Sequence, residues 1–333
     1  MKTTKEKIRS VLEQFSITQY QAERIADMIL DYTQSNSLLE VSIPEQCPKC
    51  GIYRPEVVKN GKTGSGKQMY KCKCCGKRFT ATSGHLMENS HFGKDKWRSI
   101  IIDTICGYSI RSTAKSLLIS MPTVFKMRHK VLRFLEESTQ DTMLKGFVEA
   151  DETFLKLNGK RRIGELERGI RESSKQAGTG KMACVACVVE PGGAAFCRSY
   201  NWGAIGSADT DRILSHVSTG STLVVDGWKT YKASSERNSL NRIAVDGKDG
   251  TGETNLKAVN SFHQQIKQLI RYYRGISVKY INRYCALFSM RWTIKVKDSA
   301  EILSWIKELI WNFRMKTTLK QVLNENLWNP LAS

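Results

Sequence analysis

Phe147-Val148-Glu149-Ala150-Asp151-Glu152-Thr153-Phe154 is the stretch on which the fold of the C-terminal half turns. The residues before it carry helical spacing, whereas here the period drops to two: Glu149, Asp151 and Thr153 share one face, and Val148 and Ala150 take the other. A carboxylate inside a strand is costly unless it has a partner or a role. Asp151 is therefore the first candidate site residue.

Working outward, residues 181–189 and 194–200 read as a hairpin turning at Pro191-Gly192-Gly193. Cys184 and Cys187 lie an odd number of positions apart on the first of these strands, so they point to opposite faces and do not suit a shared metal. Ser221-Thr222-Leu223-Val224-Val225-Asp226-Gly227-Trp228 is a buried apolar strand that ends at an acid. Asp226 can reach a cleft from there. Two such acids brought together make a hard oxygen site for Mg²⁺, with Mn²⁺ as a substitute.

After a Gly-rich loop at 247–252, spacing predicts a helix over 256–273 with Val259, Phe262, Ile266, Leu269 and Ile270 as its core stripe. Asn260, His263 and Lys267 fall on an adjacent stripe that can face the acids. A second helix begins near Ser277 and carries Lys279, Tyr280, Arg283, Tyr284 and Phe288. That mixture fits either a core with a solvated face or contact with DNA.

The segment over 94–137 is helical again. Ile119-Ser120-Met121-Pro122 makes a turn between two helices, Ser120 suits an N-cap, and Pro122 suits a first helical turn. This reads as a helix-turn-helix with Lys126, Arg128, His129 and Lys130 toward DNA, or as a plain three-helix packing module. Upstream, Cys47-Pro48-Lys49-Cys50-Gly51 and Cys72-Lys73-Cys74-Cys75-Gly76 form two facing knuckles. Cys47, Cys50, Cys72 and Cys75 are the expected ligands of a closed, structural tetrahedral Zn²⁺ site, and Cys74 is the spare thiol. Seven basic residues between Lys59 and Arg78 crowd this ribbon, a density that favours phosphate contact over a merely solvated face. Residues 1–43 have two apolar helical stripes and read as a helical pair.

The whole chain of 333 residues carries 52 basic and 32 acidic side chains, a formal charge of +20. An excess of that size seeks a polyanion, and nucleic acid is the leading partner. With 41% apolar residues the chain is neither disordered nor fibrous. It has no run of roughly 18 apolar residues and no N-terminal apolar segment, so a cytoplasmic, nucleoid-associated protein with no membrane partner is expected.

The order of these motifs is more specific than any one of them. It resembles an insertion-sequence transposase of the kind with an N-terminal zinc ribbon and an RNase H-like, integrase-like catalytic domain; the resemblance spans roughly residues 45–295. The likeness implies that Asp151 and Asp226 are the two metal-binding aspartates, that Asn260 stands where many relatives carry Glu, and that Lys267 is the accompanying base. This is an Asp-Asp-Asn-Lys variant. Glu149, Glu253 and His263 are supporting candidates. Arg161 and Arg162 in the basic loop 159–181, with Arg274 and Lys279, extend the DNA-binding set. The expected architecture is multidomain, α+β and α/β: a helical segment over 1–43, a zinc ribbon over 44–85, a helix-turn-helix region over 90–140, a mixed RNase H-like sheet flanked by helices over 145–315, and a tail over 316–333. The implied activity is Mg²⁺-dependent phosphodiester hydrolysis and strand transfer on element ends and target DNA by a homo-oligomer. The competing readings are a non-catalytic DNA-binding regulator, which the uncharged Asn260 favours, and a structure-selective RNase H-like nuclease.

Overall fold

The computed structural model describes residues 47–88, 90–155, 182–245, 256–273, 276–294 and Val322. The expected helical pair over 1–43, the basic loop with Arg161 and Arg162, Glu253, Arg274, an apolar stripe over 302–310 and the tail over 316–333 lie outside these residues. Two compact units divide what is described, 47–102 and 103–294 with Val322.

The first unit holds a three-stranded antiparallel ribbon in the order β1 (Val57–Lys62), β2 (Gln68–Cys72), β3 (Arg78–Thr80). Among the described residues, its buried apolar centre is Cys47, Cys72 and Phe79, with Val57, Tyr70 and Cys75 packed against them. So small a core is typical of modules that need a metal or a partner to hold them. Lys59, Lys62, Lys67, Lys71, Lys73, Lys77 and Arg78 are all exposed around it.

Helix α1 (Lys94–Cys106) runs from the first unit into the second. Two helices follow, α2 (Ile110–Leu117) and α3 (Met121–Ser138), joined by a short turn. Each begins at a serine in extended conformation: Ser109 accepts from the Ser112 N–H at 3.1 Å, and Ser120 from the Thr123 N–H at 3.3 Å. The side-chain oxygen satisfies a donor that the first helical turn leaves open, and Pro122 lacks the N–H that would need one. Leu118 ends α2 with φ +53° and is 90% exposed.

The second unit is built on a mixed five-stranded sheet, and the described residues contain seven α-helices in all. The strand order is β6-β5-β4-β7-β8, with β4 (Phe147–Leu155) at the centre. β5 (Ala183–Val189) and β6 (Ala195–Trp202) run as an antiparallel hairpin beside β4. On the other side, β7 (Thr222–Asp226) and β8 (Asn241–Val245) are parallel to β4 and to each other. One face is covered by α4 (Ser207–Leu214) and α5 (Lys229–Arg237), where Val148, Ala150, Cys184, Ala186, Val188, Leu223 and Val225 pack on Ile213, Leu214 and Tyr231. Burial on both faces explains the continuous apolar run of β5, which shows no alternation.

The opposite face meets α6 (Lys257–Tyr272) and α7 (Ile281–Thr293). Side chains of α7 also close the edge of β6: Asn282 Oδ1 accepts from Ser199 N–H at 2.8 Å, Ser289 Oγ from Cys197 N–H at 3.0 Å, and Thr293 Oγ1 from Ala195 N–H at 3.3 Å. Alternate strand residues thus find polar partners along one helix stripe, which removes an edge that other chains could pair with.

Candidate active site

The parallel ladder of β4 and β7 pairs Phe147 with Thr222, Val148 with Leu223 and Glu149 with Val224. Two residues further along each strand, Asp151 and Asp226 come level on the same face, because paired residues of neighbouring strands point the same way. Asp226 is the last residue of β7, and Asp151 lies two residues beyond Glu149, the last residue of β4 in the ladder with β7, while antiparallel β5 pairs along its other side. Crevices form at such places in open sheets, outside the carboxyl ends of parallel strands. The backbone beyond Asp226 turns back on it, and the Trp228 N–H donates to Asp226 Oδ1 at 3.1 Å.

The acids interact electrostatically. Burial raises the Asp151 pKa to about 6 against a backbone hydrogen bond from Glu152; the negative charge of Asp226 pushes it the same way as burial, and Lys267 opposes. A divalent cation held between two carboxylates would relieve their repulsion.

Helix α6 supplies the other side. Val259, Phe262, His263, Ile266 and Leu269 are buried, while Asn260 and Lys267 stay exposed on the neighbouring stripe, seven residues or about two turns apart. His263 lies between them, with Nδ1 3.9 Å from Asp151 Oδ2. Burial, followed by the charge of Lys267, lowers the His263 pKa to about 4, so the ring is neutral at pH 7. The structure thus brings Asp151, Asp226, His263 and Lys267 into one neighbourhood, with Asn260 on the same helical stripe. Glu149 accepts from the Val259 N–H at 2.8 Å through Oε2.

Other candidates fare differently. Arg128 and Lys130, expected on a DNA-facing surface, are 2% and 6% exposed and do not reach it. Both α2 and α7 pack on α3, and every residue from Met127 to Leu132 is buried. The Arg128 guanidinium donates to the Tyr108 carbonyl at 2.7 Å. His129 is buried too, its ring 4.3 Å from Phe125 and 4.0 Å from Tyr280. Lys126 and Lys279 are exposed as expected. The aromatics Tyr280, Tyr284 and Phe288 are core rather than surface.

Two partners of the site went unread in the sequence. Glu152 points to the face opposite Asp151, where the Tyr231 hydroxyl donates to its Oε1 at 2.5 Å. Burial holds the Glu152 pKa up at about 7 against that bond, with Asp151 and Asp226 adding to the rise. The available signal was an acid in the strand interior whose alternation aims it into apolar core, where a donor is obligatory. Cys184 and Cys187 do face opposite sides: Cys184 packs beneath α4 and α5, and Cys187 pairs in register with Asp151 and Cys197.

In the first unit, the sulfurs of Cys47, Cys50, Cys72 and Cys75 all lie within 4.8 Å of one another. Two similar turns achieve this. Gly51 N–H donates to Cys47 O at 2.9 Å and Gly76 N–H to Cys72 O at 2.8 Å, with φ of +75° and +68° at the two glycines, a backbone that other residues rarely adopt. Backbone N–H groups of Cys75 and Cys74 hold the Cys72 thiol down at about 7. Tetrahedral zinc at about 2.3 Å from each sulfur requires sulfurs roughly 3.8 Å apart, so the donor set fits. Cys74 stands outside the cluster and is exposed.

With this geometry in place, comparison with known proteins is informative. Residues 143–293 match the ISXO2-like transposase domain. An uncharacterized protein in transposable element ISH50 of Halobacterium salinarum is 25% identical over 270 residues, covering 79% of this chain and 90% of the relative. These findings support an insertion-sequence transposase. The transposase-domain match runs from just before β4 to the end of α7, so it contains Asp151, Asp226, Asn260 and Lys267 and leaves out the four-cysteine ribbon and the α2–α3 pair. The ISH50 alignment is longer than the domain and so reaches beyond it.

Proposed function

We propose that the chain is a DNA transposase that binds the ends of its element and catalyses Mg²⁺-dependent strand cleavage and strand transfer. The observation that carries this reading is the level placement of Asp151 and Asp226 on one face, opposite a helix bearing Asn260 and Lys267. A mixed sheet flanked by helices, with its acids at the central strand and at the end of the strand beside it, supports the RNase H-like reading of residues 145–315.

Asp151, Asp226 and the Asn260 side-chain carbonyl would hold the divalent ions, all three being hard oxygen donors. When bound, such ions activate water or a 3′ hydroxyl and stabilise the leaving oxygen of an in-line displacement. Lys267, exposed and electrostatically coupled to Asp151, binds a phosphate oxygen of the DNA. Neutral His263 stands beside Asp151 on the helix side without an ion pair to it, and the Trp228 N–H orients Asp226. Asn260 contributes no charge, so the two aspartates and the substrate phosphate must balance the ions.

The four-cysteine ribbon would carry structural Zn²⁺ and present its exposed lysines to phosphates. The start of α3, with exposed Lys126, adds to the DNA surface. Arg111 and Lys115 on α2 are exposed as well. The active form is taken to be a homo-oligomer on DNA. Among the described residues no helix is long and apolar enough to cross a membrane.

The test is cleavage and joining of the element's own terminal repeats by the full chain. Mg²⁺-dependent products lost in both Asp151→Asn and Asp226→Asn support the reading. Full activity in either variant refutes the site. Binding without cleavage points to a regulator, and cutting of branched DNA without joining points to a nuclease.

A further inference from the structure

Helix α6 has no cap of its own. Its N-cap position, Leu256, makes no side-chain hydrogen bond, and no acid lies in its first turn. A helix start normally leaves N–H donors that a side chain or water must satisfy. Here the acceptor comes from a strand more than a hundred residues away: Glu149 Oε2 takes the Val259 N–H at 2.8 Å, and the Ala258 N–H also acts on this carboxylate. Glu149 is 4% exposed. Its negative charge also complements the positive end of the helix dipole.

The anchor lies at an informative place. Glu149 is two residues before Asp151 on the same face of β4, about 7 Å along the strand. Val259 is immediately before Asn260, four residues before His263 and eight before Lys267. A single carboxylate therefore ties the strand bearing the first aspartate to the helix bearing the rest of the site. Among the described residues, the four cysteines are the one set of three or more His, Cys, Asp or Glu whose ligand atoms lie within 4.8 Å of one another, so Glu149 does not stand that close to both aspartates.

We propose that Glu149 is a positioning residue: a cap supplied by β4 that sets where Asn260, His263 and Lys267 stand relative to Asp151 and Asp226. For its catalytic readout the inference rests on the transposase reading; its structural readout does not.

The experiment compares Glu149→Ala and Glu149→Gln with the unaltered full chain. Gln keeps an oxygen for the Val259 N–H, whereas Ala removes it. Hydrogen exchange followed by mass spectrometry should show faster exchange over 256–262 in Glu149→Ala and near-normal exchange in Glu149→Gln. Single-turnover cleavage of terminal-repeat DNA should fall about 10- to 100-fold in Glu149→Ala, the scale expected when reacting groups move by about an ångström. Glu149→Gln should recover most of that rate. The Mg²⁺ concentration for half-maximal rate and the DNA affinity should be unchanged in Glu149→Gln, which keeps the start of α6 in place. Unchanged exchange in Glu149→Ala overturns the proposal. So does a Glu149→Gln enzyme that needs several-fold more Mg²⁺, since that marks a metal ligand. If Glu149→Ala does not fold, Glu149→Gln still decides through its rate and Mg²⁺ dependence. If the unaltered chain gives no cleavage that depends on Asp151, the transposase reading fails while the exchange result still judges the cap.

Discussion

Acid should destabilise the second unit through His129, and by an amount the structure allows to be worked out. The ring makes tilted contacts with Phe125 and Tyr280, and its Nδ1 lies 3.3 Å from Arg283 Nη1. Burial first, then the charges of Arg283, Arg128 and Lys279, lower its pKa to about 3. In the unfolded chain the same group titrates near the ordinary value of about 6.5. A depressed histidine favours the folded state wherever the unfolded ring is neutral, so its contribution is intact above about pH 6.5. It is lost as pH falls toward 3, because only the unfolded chain takes up the proton. The linkage relation puts the loss at about 1.4 kcal/mol by pH 5.5 and about 2.7 kcal/mol by pH 4.5. Most of this depends on the unfolded value, since the folded ring stays almost unprotonated over that range. Urea unfolding followed by fluorescence between pH 7.5 and 4.5 gives stability against pH, to which His129 contributes a fall with acid. In His129→Gln the fall should be shallower by about one proton, whatever the variant's starting stability. The residual slope combines His216 and His263, also depressed and acting in the same direction, with Asp151 and Glu152, whose raised values act in the opposite one. An unchanged slope in His129→Gln would refute the reasoning, as would a His129 imidazole titrating near 6.5 in carbon-13 NMR of the folded chain.

Other consequences can be checked separately. Stripping metal with a chelator, or replacing Cys72 by Ser, should abolish hydrogen-exchange protection over 57–80 while protection over 183–189 persists, because the ribbon buries only three apolar side chains. Tyr231→Phe leaves the buried Glu152 carboxyl without its donor and should lower unfolding free energy by about 1–3 kcal/mol in urea titrations. Leu118→Gly should raise stability by about 1 kcal/mol, since it removes a branched side chain from a left-handed backbone position where it is 90% exposed. Ser120→Ala should lower stability by about 1 kcal/mol through loss of the α3 cap, measured in the same way.

Much of the second unit was legible because its signals are local. The period-two run at 147–154, the apolar strand ending at Asp226 and the stripe of α6 each mark an element and the face it presents. Observed β4, β7 and α6 begin and end within a residue or two of the expected spans. The cysteine spacing likewise announced the four-sulfur cluster. What could not be read depends on packing between distant segments. Arg128 and Lys130 look like surface charges until α7 lies across α3. Glu149 shows its hydrogen bond to the Val259 N–H only once the start of α6 arrives beside β4. Glu152 finds its donor, Tyr231, on a helix that sequence spacing does not place. Charged residues in interiors are decided by partners far along the chain, and pattern alone does not name those partners.

The central claim is that Asp151 and Asp226 act together on divalent cations. Mn²⁺ binding, followed by electron paramagnetic resonance, tests it most directly in the unaltered chain, in Asp151→Asn, in Asp226→Asn and in the double variant. Shared coordination predicts that each single substitution weakens binding strongly and that the double substitution adds little more. Mn²⁺ affinity unchanged in either single variant, or two independent and additive losses, would contradict it.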